Sequence, residues 1–130
     1  MTQSSLTEQA HWDAYWSKVR LPMERKKSPR TPYLNEILDV FDRHLPRAAG
    51  MQALEIGGAP GQYLAYLHRN FGCTIASVDY SEVGCRKTEE NFRLLGIEGV
   101  VHQRDLFAAD RSLGVFDIVF HMDAANINPI

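Results

Sequence analysis

Glu55-Ile56-Gly57-Gly58-Ala59-Pro60-Gly61 is the stretch of this sequence with the greatest capacity for chemistry. Glycines between an apolar run and a helical pattern let a ligand approach the backbone closely, and the helix start behind them presents N–H groups. The dinucleotide fingerprint G-x-G-x-x-G, started at Gly57, meets Ala59 and Gln62 where its later glycines belong, so only its first position fits. The P-loop pattern fails as well, because no Gly-Lys-Ser/Thr follows. Glu55 adds a constraint of its own. A carboxylate beside a pyrophosphate would be penalised, whereas it can accept hydrogen bonds from a cationic amino-acid tail.

Three further groups lie downstream. Asp79 comes 18 residues after Gly61, at the end of the apolar run 74–78. A carboxylate there can accept from both hydroxyls of a ribose, and Tyr80 would lie against an adenine. Dinucleotide folds place an acidic residue at a similar distance, so Asp79 alone leaves the ligand open. Arg104-Asp105-Leu106-Phe107 follows the next short apolar run. Val115-Phe116-Asp117-Ile118-Val119-Phe120 then delivers His121, Met122 and Asp123 to the end of another strand. Asp117, near the start of that strand, reads as structural. His121 is placed to neighbour a ligand, or to act as a general base, though a lone histidine at a strand end is commonly incidental.

Taken in order, these elements resemble the class I S-adenosylmethionine-dependent methyltransferases. Glu55 to Gly61 is similar to their motif E/D-x-G-x-G-x-G, with Ala59 in the middle glycine's place. The resemblance runs over about residues 30–121. It implies an α/β fold: a Rossmann-like parallel sheet with flanking helices, in the strand order 3-2-1-4-5-7-6. It implies S-adenosyl-L-methionine as cofactor, held by Glu55, Gly57, Gly58, Ala59, Gly61, Asp79, Tyr80, Asp105, Leu106 and His121. In that family an acidic residue at the Asp105 position accepts from the adenine amino group, and the next backbone N–H, here that of Leu106, donates to a ring nitrogen. The implied reaction is methyl transfer to a small-molecule acceptor, with catalysis largely by positioning. No catalytic base is identified.

Only strands one to four of that order are found, so the fold is expected to be truncated after the fourth strand. That strand would then be a bare edge, and one sheet face would lack covering helices. Completion by a partner, or self-association through the fourth-strand edge, is expected. Two alternatives to an enzyme of this class remain: a non-catalytic fragment or binding module that keeps the fold, and a nicotinamide-dependent oxidoreductase.

The elements that must position these residues can be read from periodicity. Leu6, Ala10, Trp12, Tyr15, Trp16 and Val19 recur at helical spacing, which predicts an amphipathic helix. Leu21 to Pro32 reads as a linker with three prolines, and five basic residues fall between Arg20 and Arg30. The run is short and has no interleaved aromatics, so it reads as a solvated loop rather than a nucleic-acid contact. Thr31-Pro32 predicts a capped helix start, with Leu34, Ile37, Leu38, Phe41 and Leu45 as its apolar stripe. Strands are then expected at 51–56, 74–78, 100–103 and 115–120. Helices are expected over 62–71 and from Ser81 to about Leu95, where Gly96 stops the second. Strands alternating with helices imply βαβ units and a parallel sheet. The division expected is an N-terminal helical segment with its basic linker, 1–46, and a partial cofactor-binding domain, 47–130.

The 130 residues can enclose one core. A net charge of −2 gives no global attraction to nucleic acid or an anionic membrane, and no apolar run is long enough to span a bilayer. Cys73 and Cys85 lack metal-ligand spacing, and Cys73 reads as a buried thiol. No metal is implied. The polar N-terminus has no signal layout, which makes a cytoplasmic location the expectation.

Overall fold

The computed structural model describes Ala10, Ala14, Tyr15 and residues 17–105 and 113–122. Most of the helix expected over 6–19 lies outside the described residues, as do Leu106 and Asp123. Within them, β1 (Gln52–Ile56), β2 (Thr74–Asp79), β3 (Gly99–Gln103) and β4 (Ile118–His121) alternate with α2 (Gln62–Phe71) and α3 (Glu82–Leu95), and α1 (Pro32–His44) comes first. The four strands form one sheet in the order β3-β2-β1-β4, and all pairs are parallel. This is the order expected for the first four strands.

Each helix boundary has a local cause. Pro32 opens α1 at its first turn, but Thr31 makes no side-chain cap bond. Asn35 instead ties the first turn to the preceding segment: it accepts from the Ser28 N–H at 2.8 Å and donates to the Ser28 carbonyl at 2.7 Å. Ser81 does cap α3, its Oγ accepting from the Gly84 N–H at 3.0 Å. Gly72 and Gly96 end α2 and α3 in the left-handed conformation.

Alternation along the strands divides the sheet into two faces. Ala53, Ile75, Val101, Ile118 and Phe120 pack with Leu38 and Phe41 of α1, Tyr63, Leu64 and Leu67 of α2, and Phe92 of α3. Glu55, Ser77 and Asp79 share that helix-covered face by strand parity. Leu54, Ala76 and Val78 line the opposite face, where Ile56, Leu113 and Phe116 pack on them. Val100 and Val119 on that face are 53% and 55% exposed. β4 pairs only with β1 among the described residues.

Two expectations need correction. The fourth strand begins at Ile118, not Val115, and Val115 is 89% exposed. The ladder starts where Asp117 grips Gln52: the Asp117 N–H donates to the Gln52 carbonyl at 2.9 Å, and its Oδ2 accepts from the Gln52 N–H at 2.8 Å. Asp117 is structural, as expected.

The linker is also not a solvated loop. Asn91 of α3, fully buried, accepts from the Met23 N–H at 2.7 Å and donates to the Met23 carbonyl at 2.8 Å. Lys27 reaches Asp39 and Asp42 of α1 at 2.5 Å each, and Arg69 of α2 pairs with Glu24. The segment 19–30 is therefore a strap laid across three helices, and ion pairs and amides hold it there. Cys73 and Cys85 are both buried free thiols. Among the described residues no helix is long and apolar enough to cross a membrane.

Candidate functional site

Parallel strands bring their carboxyl ends to one edge of a sheet, and a cleft opens there where successive connections leave in opposite directions. Here β1 leads through α2 to β2 on one side, and the chain later returns to place β4 on the other side of β1. Glu55 and the turn 57–61, Asp79 and Tyr80, Asp105, and His121 all occupy this edge, at the ends of β1, β2, β3 and β4 respectively. Leu106 is the one expected site residue outside the described residues.

The turn is anchored on both sides. The Gly57 N–H donates to the Val78 carbonyl at 2.8 Å, extending the β1–β2 ladder by one rung, and the Gly61 N–H donates to the Gly58 carbonyl at 2.6 Å. Gly57 is exposed, and a Cβ built on it would meet nothing within 4 Å. Space above it is open for a ligand. Gly61 is glycine for a different reason. Its φ of +87° is left-handed, and a Cβ there would come within 2.6 Å of the Phe92 ring and 3.1 Å of Thr88 Cγ2. It lets α3 close on the turn rather than presenting a surface to a ligand.

Glu55 lies beneath the turn. It is 2% exposed, its Oε1 has no hydrogen-bond partner, and a Cβ on Gly58 would sit 2.7 Å from its Cγ, Cδ and Oε1. Burial, with the Asp79 charge as a second cause, pushes its carboxyl well above the ordinary range. Asp79 is 8% exposed. Its Oδ1 accepts from the Ser81 N–H at 3.0 Å and its Oδ2 from the Ala59 N–H at 3.4 Å, so it ties the turn to the start of α3. Tyr80 beside it is 42% exposed. Asp105 is exposed past the end of β3, and the Arg104 N–H donates to the Asp79 carbonyl at 2.9 Å. His121 closes β4 in register with Ile56 and is exposed. Among the described residues no cluster of histidine, cysteine or carboxylate groups is placed to hold a metal ion.

Four residues that sequence reasoning passed over belong to this neighbourhood. Ser77 is the register partner of Glu55, and Gln62 opens α2. Both are buried and carry an oxygen without a partner. A hydroxyl two residues before Asp79, on the same strand face, was a readable signal for Ser77. Asn91 donates to the Pro60 carbonyl at 2.8 Å, which joins the strap to the turn. Arg25 lies over the Tyr63 ring at 5.4 Å. The last two contacts bridge distant parts of the chain and left no local pattern.

The arrangement can hold a ligand with a cationic part near Glu55 and hydroxyl groups near Asp79. No protein-family model matches the sequence, and a comparison with curated proteins finds no significant match. Solved structures do match. A SAM-dependent methyltransferase from Thiobacillus denitrificans, in complex with S-adenosyl-L-homocysteine, has 19% identity and a TM-score of 0.58, over 98% of this chain and 46% of that one. Phosphoethanolamine N-methyltransferase 2 from Haemonchus contortus, in complex with S-adenosyl-L-methionine, has 24% identity and a TM-score of 0.58, over 70% of this chain and 21% of that one. A protein-L-isoaspartate O-methyltransferase has 20% identity and a TM-score of 0.57, over 88% and 43%. This chain spans less than half the length of each. The likeness shows the fold: the chain has the class I methyltransferase fold.

Proposed function

We propose that this chain forms the cofactor-binding part of an S-adenosylmethionine-dependent methyltransferase that acts on a small-molecule acceptor. The observation that carries the reading is the buried carboxyl of Glu55, with Oε1 unpartnered, under a turn whose exposed Gly57 faces open space. A pyrophosphate would add negative charge beside Asp79 and Glu55. A cation relieves both groups at once.

The residues present fit the cofactor. Glu55 would accept from the amino group of the methionine tail. Asp79, held by the Ser81 and Ala59 N–H groups, would accept from the ribose hydroxyls. Tyr80 and Asp105 would bound the adenine. His121 would lie near the tail at the end of β4. When bound, S-adenosylmethionine supplies an electrophilic methyl group on a sulfonium centre. The protein's part is to hold that group in line with an acceptor and away from water. The expected solvated compartment is the cytoplasm.

A second reading is favoured by one observation: β4 is paired on one side only, and Val119 on it is 55% exposed. In that reading the chain is a binding module that keeps the fold and pairs through β4, with no transfer activity. Thermal unfolding separates the readings at their first step. S-adenosylhomocysteine at about ten times its Kd is expected to raise the midpoint by roughly 5 °C, while NADH leaves it unchanged. A shift with NADH alone would restore the nicotinamide reading, and no shift with either ligand favours the module.

A further inference from the structure

Asn91 of α3 is fully buried, and its amide is engaged by two segments outside its own helix. Its Oδ1 accepts from the Met23 N–H at 2.7 Å, and its Nδ2 donates to the Met23 carbonyl at 2.8 Å. The second Nδ2 hydrogen is left for the Pro60 carbonyl, also at 2.8 Å. Both backbone groups of one strap residue therefore grip the amide. They fix its plane and aim its remaining N–H at the turn.

The Pro60 carbonyl belongs to the peptide unit whose other end is the Gly61 N–H. That N–H donates to the Gly58 carbonyl at 2.6 Å and closes the turn. Asn91 and Gly58 thus hold opposite ends of one peptide plane. The approach of α3 is close enough that a Cβ on Gly61 would strike Phe92 and Thr88, which flank Asn91 on that helix.

The strap has less to hold it than the turn has. Residues 19–30 contain no helix or strand. Besides Met23, its anchors include Lys87 Nζ, which donates to the Val19 carbonyl at 3.1 Å, and the pairs of Glu24 with Arg69 and of Lys27 with Asp39 and Asp42. Lys27, Asp39 and Arg69 are each nearly half exposed, where ion pairs contribute little. Such a segment opens locally at lower free energy than a helix or a central ladder. When it opens, Asn91 loses two of its three bonds and the fixed direction of the third.

We propose that Asn91 is a positioning residue that couples docking of the strap to the shape of the turn 57–61, so that the site binds its ligand tightly only while the strap is docked. The ligand part of this assignment rests on the cofactor reading above. By linkage, a ligand bound at the turn holds the strap down by the same factor.

The test breaks the strap's side of the relay without touching Asn91 or the turn. Met23→Pro deletes the N–H that Asn91 accepts from. The first readout needs no ligand: amide hydrogen exchange by NMR at Gly61, with Gly57, whose N–H donates to Val78 in the β1–β2 ladder, as internal control. Met23→Pro and Asn91→Leu are each expected to speed exchange at Gly61 about tenfold and leave Gly57 unchanged. A merely structural role would speed both amides alike. The second readout is calorimetry with S-adenosylhomocysteine. Each single variant is expected to weaken it about fivefold or more, and the double variant no further than either single one. Wild-type exchange at Gly61 in Met23→Pro, equal acceleration at Gly57 and Gly61, or losses of affinity that multiply in the double variant would overturn the coupling. If the unsubstituted chain does not bind S-adenosylhomocysteine, the cofactor reading fails, and the exchange ratio alone decides whether strap and turn are coupled. Should Met23→Pro fail to fold, Glu24→Gln combined with Lys27→Met loosens the strap through its ion pairs, and the same ratio of Gly61 to Gly57 exchange decides.

Discussion

A fully enclosed carboxyl group holds its proton more tightly than one in water, and a neighbouring carboxylate tightens the hold further. Glu55 is in this position, with burial as the larger cause and Asp79 as the second. Because its pKa is higher in the folded chain than the ordinary 4.5, folding favours the protonated form. Its contribution to stability is therefore complete below about pH 4.5 and is lost as the pH rises through the folded-state value. Urea unfolding between pH 4 and 9 should show wild-type stability falling across that window relative to Glu55→Gln. The variant is expected to be the more stable of the two at the alkaline end. The same substitution should weaken S-adenosylmethionine about tenfold at pH 8, because an amide cannot offer the charge that a cationic tail favours. A variant that follows the wild-type pH curve would mean that Glu55 is not the group being titrated.

Residues of this kind were readable where their signal is local. Glu55, Gly57 and Asp79 could be placed because strand, turn and helix follow one another within a few residues, and a carboxylate at a strand end has one predictable destination. Thr31 shows the limit. Its type and position before Pro32 suit a cap, yet Asn35 and Ser28 hold the start of α1 instead.

At the scale of elements, the strap matters most. Asn91 is fully buried and serves three backbone groups on two segments: Met23 N–H, Met23 C=O and Pro60 C=O. Replacing it by leucine strands those groups without partners. The expected cost is about 2–4 kcal/mol in urea unfolding, at the upper end of what single hydrogen-bonded side chains contribute. The strap should also open before the rest of the fold. Trypsin is then expected to cut at Lys26 or Lys27 in Asn91→Leu under conditions where the wild-type chain stays whole. Equal resistance would show that ion pairs alone hold the strap. None of this was visible in the sequence, where the prolines and basic residues resemble any solvated linker. Asn91 and Met23 are 68 positions apart. The start of β4 was misread for a related reason: Val115 and Phe116 have strand character, but the ladder to β1 begins only after Asp117 engages Gln52.

The whole molecule sets one helix-covered sheet face against another on which Val100 and Val119 remain exposed. The candidate site lies at the sheet edge where these faces meet, and its expected residues stand at the ends of all four strands. Strand order and the position of the cleft were legible because the alternation of strand and helix leaves few topologies open. The central claim is that this edge binds S-adenosylmethionine through the carboxylates at its strand ends. Calorimetric titration of the chain with S-adenosylmethionine, alongside Asp79→Ala, tests it most directly. The account predicts saturable one-site binding that is abolished, or weakened by at least about tenfold, in Asp79→Ala. No binding at millimolar cofactor, or equal affinity in the variant, would contradict it.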